Sequence, residues 1–306
     1  MGLCTFLEHH GIDYKLNESL KRLSYVGIGG TASLVAYPKN RGELLCLLSR
    51  LCKKGIPYKV VGNMSNVLAP DGEWKICLVC AKRMRGVYFE QGMAVAECGV
   101  PLSVLCRKML EFNLVPPKEL FGIPATVGGA VYQNAGAYGL SISDRLSFVD
   151  LYDPREDRVV RVDRSELFFS YRRSDISSRG ILLSAGFVGG EGDLFSAEQA
   201  MEEVAARRMA SQPAERSLGS VFLRAGDTSA AYYIDRCGCK GYRVGDASVS
   251  EKHAGFIVNE GNATARDFLA VLDFVKARVL QCFGVALQTE IEIIEETEGA
   301  RWLRFV

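Results

Sequence analysis

Gly122-Ile-Pro-Ala-Thr-Val-Gly-Gly-Ala-Val-Tyr-Gln-Asn-Ala-Gly-Ala-Tyr-Gly139 is the most informative stretch of this 306-residue chain. Five of its eighteen residues are glycine, with Pro124 and Asn134 among them. That density implies backbone pressed closely against a neighbour, or several positive φ values. A flat cofactor ring is a good candidate for the neighbour; a purely structural Gly-rich loop is the alternative. The common nucleotide fingerprints are absent, since Gly27-Ile-Gly-Gly30 is not GxGxxG and no GK[ST] occurs.

Upstream, 58–61 (Tyr-Lys-Val-Val) reads as a strand that runs into Gly62-Asn-Met-Ser-Asn66. Small, hydrogen-bonding residues at a strand end can turn backbone N–H groups and a Ser hydroxyl toward a diphosphate. An ordinary turn is the competing reading. Before it, 34–37 reads as a strand, and Asn40 caps a helix with leucines at 44, 45, 47, 48 and 51. Downstream, 93–96, 148–152, 158–162 and 181–185 are expected strands, with a turn at Asp153-Pro154. Residues 187–197 read as a boundary loop before a charged helix at 197–209. In the last third, 256–259 is an expected strand, and Thr264-Ala-Arg-Asp267 resembles a capping box. It opens a helix with Phe268, Val271, Leu272, Val275, Val279 and Phe283 on one face, and a final strand is expected near 291–294. The fold class is α+β, in three small domains.

Length agrees with two or three domains. Lys plus Arg number 37 against 36 Asp plus Glu, so no basic field exists for gripping nucleic acid. The N-terminus lacks the features of a signal peptide, and no apolar run would span a bilayer. The expected compartment is the cytosol. Ten cysteines lie at irregular spacings in a chain of this size, which argues against a disulfide framework. Cys77 and Cys80, and Cys237 and Cys239, are close pairs, but the only histidines are His9, His10 and His253. Small buried hydrophobes are the better reading, and no metal is expected.

Three further spots can carry chemistry: Tyr171-Arg172, Gly219-Ser220 and Glu290. Each alone is uninformative. Their order is not: GIGG (27–30), GNMSN (62–66), the 122–139 stretch, YRRS (171–174), GSVF (219–222), GDASVSEKHAGFIVN (245–259) and LQTEIEII (287–294). In that order the chain resembles, over nearly its whole length, the UDP-N-acetylenolpyruvoylglucosamine reductase (UDP-N-acetylmuramate dehydrogenase, MurB) family of peptidoglycan synthesis. The resemblance implies non-covalent FAD, NADPH as hydride donor and a nucleotide-sugar substrate. It implies no nucleic-acid or membrane partner, and a monomer is expected. FAD would lie between a first domain (1–85 plus 288–306), completed by the C-terminal strand, and a second domain (86–196). A third (197–287) would close over the substrate. The short run from Arg172 to Ser220 fits the subtype without an extra loop over UDP.

By the same resemblance, Gly62, Asn63, Met64, Ser65 and Asn66 would hold the FAD diphosphate. Gly122, Ile123, Pro124, Thr126, Gly128, Gly129, Asn134 and Gly136 would line the cofactor. Arg172, Ser220 and Glu290 match the catalytic positions, with Tyr171, Arg224 and His253 on the substrate. The chemistry is consistent. Arg172 can stabilise charge growing on the enolpyruvyl carboxylate, protonated Glu290 can donate a hydrogen bond beside it, and Ser220 can deliver a proton to the α-carbon.

Four departures from the family pattern stand out: Met64 and Ala125 in place of glycine, Leu223-Arg224-Ala225 in place of Lys-Asn-Pro, and Asp246 in place of glycine. They leave two alternatives open. One is a catalytically retired relative that binds FAD or a nucleotide sugar as sensor or scaffold. The other is a different flavin oxidase, against which the 245–259 match counts.

Overall fold

Tyr58–Val61 is buried at every position although it lies at the edge of its sheet, paired in parallel with Glu73–Cys80. The computed structural model describes residues 1–294; the remainder of the expected 288–306 segment, 295–306, lies outside the described residues. Tyr58–Val61 closes a four-stranded sheet in the order Asp13–Ser19, Thr31–Tyr37, Glu73–Cys80, Tyr58–Val61. The first pair is antiparallel; the others are parallel, with Val35 opposite Leu78 and Val60 opposite Val79. The crossover is the helix Arg41–Lys53. Asn40 caps it by accepting from the Glu43 N–H at 3.0 Å, and Leu44, Leu47, Leu48 and Leu51 are buried, with Leu45 partly so.

The Cys77/Cys80 pair lies on Glu73–Cys80. Three positions apart on a strand, the two thiols point to opposite faces. Cys77 sits in the core shared with Leu44 and Val60, and Cys80 in that of Val61 and Trp74. Burial pushes the Cys77 thiol up to about 12 and raises Cys80 as well, so both behave as hydrophobes.

The second sheet is antiparallel throughout, ordered Arg158–Asp163, Leu146–Asp153, Ile181–Phe187, Met93–Glu97, Val87–Glu90. Ile181–Phe187 is buried at every position. One continuous core joins both sheets, running from Leu44 and Val79 through Ala96 and Val127 to Val149 and Leu182.

The third sheet, also antiparallel, orders Arg216–Ser220, Phe256–Asn259, Ala247–Val249, Arg243–Val244. It packs with the helices Ala230–Arg236 and Ala265–Phe283 around a separate core. Thr264 and Asp267 form the capping box, and the Asp71 carboxylate adds to it by accepting from the N–H groups of Ala265 (2.7 Å) and Arg266 (3.0 Å). That contact ties the first sheet's turn to the third unit, at a helix end suited to an anion. Phe283 differs from expectation. It is 44% exposed, because it falls in the last helical turn, beyond the sheet, where its ring meets Tyr233 at 5.3 Å. The charged helix is also longer than expected, Leu194–Ser211, because Asp193 caps it earlier by accepting from the Ser196 N–H.

The chain then returns. Phe222 bridges Thr289, and Glu292–Ile293 pairs in parallel with Val67–Leu68. The first and third units therefore meet beside the 62–66 loop. Among the described residues no helix is long and apolar enough to cross a membrane.

Candidate active site

The 62–66 loop leaves its strand in direct contact with the Gly-rich stretch. A Cβ at Gly62 would fall 2.1 Å from the Thr126 Oγ1, so only glycine allows the approach. Asn63 Nδ2 donates to the Pro124 carbonyl at 2.8 Å. Met64 takes the left-handed conformation, φ 49°, that a glycine would take freely. An L-residue there costs roughly 1–2 kcal/mol. The Met64 side chain, 2% exposed, offsets this by packing with Val61 and Trp74. This departure thus keeps the loop's shape. Ala125 also lines the cleft without a positive φ.

Thr126 caps the helix Val127–Gln133, and Asn134 ends it at φ 47°. Asn134 is buried and holds the turn, donating to the Ser170 carbonyl at 2.8 Å and accepting from the Ser143 N–H. Gly128 is buried with its N–H on the Cys98 carbonyl. Gly136 follows, and its carbonyl accepts from Arg172 Nη2 at 2.7 Å. A Cβ at Gly136 would lie 3.0 Å from Arg172 Nη1, so the glycine clears space for the guanidinium. Arg172 itself is in the left-handed region, φ 54°, stepping the chain between two short strands.

Arg172 Nε donates to Glu290 Oε1 at 2.8 Å, with both side chains largely buried. Asn66 and Gln133 each donate to the Glu290 carbonyl at 3.2 Å, so both cofactor-side segments grip its backbone. Burial pushes the Glu290 carboxyl above its usual range, and the Arg172 charge and hydrogen bond only partly oppose it. Tyr171 is exposed, its ring 5.1 Å from the Arg172 guanidinium carbon.

The opposite wall comes from the third unit. Gly219 at φ 75° turns the strand, and Ser220 Oγ donates to the Phe222 carbonyl at 3.3 Å. The Val221 carbonyl accepts from the Glu290 N–H at 2.8 Å, and the Leu223 N–H donates to the Gln288 carbonyl at 2.9 Å. Two chain segments therefore zip together and carry Ser220 and Glu290 to one rim. Arg224 donates to the Asp227 carbonyl and reaches the cleft one position after Leu223, which does not. His253 Nδ1 accepts from the Gly255 N–H at 3.1 Å, and burial lowers its pKa, which favours neutral imidazole with the proton on Nε2. Asp246 serves the third sheet instead, accepting from the Asn262 N–H and pairing with Arg243.

These walls enclose about 610 Å³, within the range of small-molecule and cofactor sites, about 300–1,000 Å³. The cleft is lined by Asn63, Met64, Ser65, Asn66, Ile123, Pro124, Thr126, Gly129 and Gly136, with Arg172, Ser220, Glu290, Tyr171, Arg224 and His253. Gly62, Gly122, Gly128 and Asn134 stand behind that wall and shape it. Sequence reasoning missed Tyr138, Arg207, Arg208 and Gln212, which also line it. The basic doublet Arg207-Arg208, a dozen residues before Gly-Ser-Val-Phe, is the signal that could have found them. The residues present suit a flavin dinucleotide: a loop of small, hydrogen-bonding residues at a strand end, glycines that admit close approach, and Arg208 Nε buried without a hydrogen-bond partner among the described residues.

Comparison with known proteins agrees in both halves. Residues 32–163 match the FAD binding domain family, and residues 212–294 match the C-terminal domain of UDP-N-acetylenolpyruvoylglucosamine reductase. A relative of that name from Pseudothermotoga lettingae is 39% identical, covering 94% of this chain and 100% of its own. Another from Caldicellulosiruptor saccharolyticus is 38% identical over 95% of each. The crystal structure of UDP-N-acetylenolpyruvylglucosamine reductase from Thermus caldophilus superposes with a TM-score of 0.77 at 30% identity, covering 93% of this chain and 99% of that one.

Proposed function

The chain belongs to the UDP-N-acetylenolpyruvoylglucosamine reductase family, and from that premise we propose how its residues divide the work. It is an FAD-dependent oxidoreductase that reduces UDP-N-acetylglucosamine enolpyruvate to UDP-N-acetylmuramate with NADPH, in peptidoglycan precursor synthesis. Held without a covalent link, FAD would supply the two-electron chemistry that connects NADPH to the enolpyruvyl double bond.

The N–H groups of 62–66, with Thr126 and Gly129 at the start of the Val127–Gln133 helix, hold the cofactor's phosphates. Ile123, Pro124 and Gly136 line its ring. Arg172 faces the enolpyruvyl carboxylate and stabilises the charge that grows there. Glu290, kept toward its neutral form by burial, offers that carboxylate a proton donor instead of a repelling charge. Ser220 delivers a proton to the α-carbon. Tyr171, Arg224 and His253 hold the nucleotide sugar. The observation that carries this reading is the Arg172–Glu290 contact at 2.8 Å, on the rim that Ser220 shares through the pairing of Val221 with Glu290.

The sheet boundaries support a division into 1–85 with 288–306, 86–196, and 197–287. The assigned catalytic and substrate residues of a single copy line one cleft together, which supports action as a monomer. The substrate and NADPH are metabolites of the cytoplasm, and that is the compartment we assign.

The test is direct. UDP-N-acetylglucosamine enolpyruvate is added without oxygen to protein reduced by NADPH, and the flavin spectrum is followed. Rapid return of the oxidised spectrum is expected. Colourless protein after mild preparation, or a reduced spectrum that the enol ether leaves unchanged, would overturn the reading.

A further inference from the structure

Two half-buried arginines reach the cleft, and they are not equivalent. Arg172 is satisfied by Glu290 and by the Gly136 carbonyl. Arg208, on Leu194–Ser211, has no carboxylate partner among the described residues. Its Nε is buried without a hydrogen-bond partner, and Nη2 makes only a long 3.4 Å contact with the Glu119 carbonyl. Burial lowers its pKa, and the Arg172 charge adds to that. A cation taken out of water without a counter-ion is costly unless an anion arrives.

The surroundings are built to keep it there. Gly122, at φ 83°, presses its bare Cα toward Arg208, where a Cβ would meet Cδ at 3.2 Å. The Tyr138 ring lies 5.4 Å from the Arg208 guanidinium carbon and 4.9 Å from that of Arg207. Arg207 shares the Tyr138 ring but is exposed, so the contact with Gly122 is what sets Arg208 apart.

Which anion it waits for follows from the assignments above, on which this inference rests. The FAD diphosphate faces the 62–66 loop. The enolpyruvyl carboxylate faces Arg172, and the nucleotide sugar's phosphates face Tyr171, Arg224 and His253. Among the half-buried cleft arginines that leaves Arg208 without an anion; Arg207 beside it is exposed to water. A hydride brings one proton and two electrons, so an isoalloxazine ring that accepts it gains one unit of negative charge, centred on N1 and the C2 carbonyl, unless N1 is then protonated. We propose that Arg208 is the counter-charge for the two-electron-reduced flavin, with its Nε–H and guanidinium set against that edge of the ring.

Arg208→Met, loaded with FAD, tests this through the reduction potential and the spectrum of the reduced protein against pH. The reduced-to-oxidised ratio at fixed potential is expected to fall roughly 10- to 100-fold, about 30–60 mV for a two-electron couple. The reduced flavin is expected to change from the anionic to the neutral spectrum near neutral pH. Arg208→Lys, which keeps the charge, should recover part of both. If Arg208→Met does not fold, Arg208→Gln gives the same reading. An unchanged potential and unchanged reduced spectrum would overturn the proposal, most plainly if UDP affinity fell instead, which would assign Arg208 to the nucleotide sugar. Wild-type protein that takes up no flavin would sink the functional reading itself.

Discussion

Asp150 and Glu290 are both carboxylates withdrawn from water, and both meet arginine, yet they are pushed in opposite directions. Burial raises both. At Asp150 it is outweighed by Arg161, which donates through Nε at 2.9 Å and Nη2 at 3.2 Å, and by Arg41 at 2.9 Å, so the carboxyl is held below its usual range. The Ser184 hydroxyl adds a further bond at 3.0 Å. At Glu290 a single guanidinium is present among the described residues, and it divides its donors with the Gly136 carbonyl, so burial prevails. The number of donors decides which carboxylate is a fixed anion and which keeps a proton within reach. Asp150 joins the Arg41–Lys53 helix to the second sheet and serves the scaffold, whereas Glu290 sits where the cleft opens.

If that distinction holds, the largest catalytic losses should lie beside Glu290. Ser220→Ala should slow flavin reoxidation by the enol ether about 10²–10⁴-fold, the usual worth of a positioned acid, and leave flavin reduction by NADPH nearly unchanged. Stopped-flow absorbance in both directions measures this. Equal slowing of both half-reactions would indicate a misplaced cofactor, and undisturbed reoxidation would remove Ser220 from the chemistry. Arg172→Ala should lower kcat about 10²–10³-fold. It should also move Glu290 further toward its neutral form, because the cation that opposes burial there among the described residues is gone. An effect confined to KM would make Arg172 a binding group only.

Asp150→Asn should do the reverse: leave kcat within about twofold and cost about 1–3 kcal/mol of stability in a urea melt. Arg41 and Arg161 are 39% and 42% exposed and can turn to water, which keeps the loss toward the lower end. The pH dependence has a definite sign. A carboxyl whose folded pKa is depressed stabilises above its unfolded value, about 3.9, and that stability is lost as pH falls through the folded value. Wild type should therefore show an acid slope that Asp150→Asn lacks. A variant with intact stability and crippled turnover would erase the distinction between the two carboxylates.

What was legible in the chain was local. Tyr58–Val61 and Phe256–Asn259 match their expected bounds, and Asn40 and Thr264 start their helices as their cap chemistry requires. The misses are non-local. Nothing near Asp150 announces Arg41, 109 positions away, and Arg172 and Glu290 are 118 apart. From the residues alone those two positions were uninformative; the ordered resemblance singled them out. Met64 read only as a departure from glycine, because its packing against Trp74 depends on tertiary contacts that a motif does not encode. Arg208 went unread for a related reason. A doublet in a charged helix looks like solvent-facing surface until the helix is laid against 118–120.

The smallest expected effect is the sharpest test of the pair. Glutamine at 290 matches the shape of a neutral glutamic acid and still has N–H donors, but it cannot ionise. If Glu290 acts protonated, Glu290→Gln should retain turnover within about tenfold, one modest hydrogen-bond difference. The pH profile then separates the readings. In wild type, raising pH through the elevated Glu290 pKa creates a carboxylate beside the substrate's own, and kcat/KM should fall on that limb. In Glu290→Gln no charge can form there, and the limb should flatten. If ionised Glu290 were the working form, as ionised Asp150 is for the scaffold, the substitution would instead lose activity at every pH, by as much as Arg172→Ala. A flattened limb with modest loss keeps the two carboxylates in different roles; a uniform collapse makes Glu290 a second fixed anion whose task is to orient Arg172.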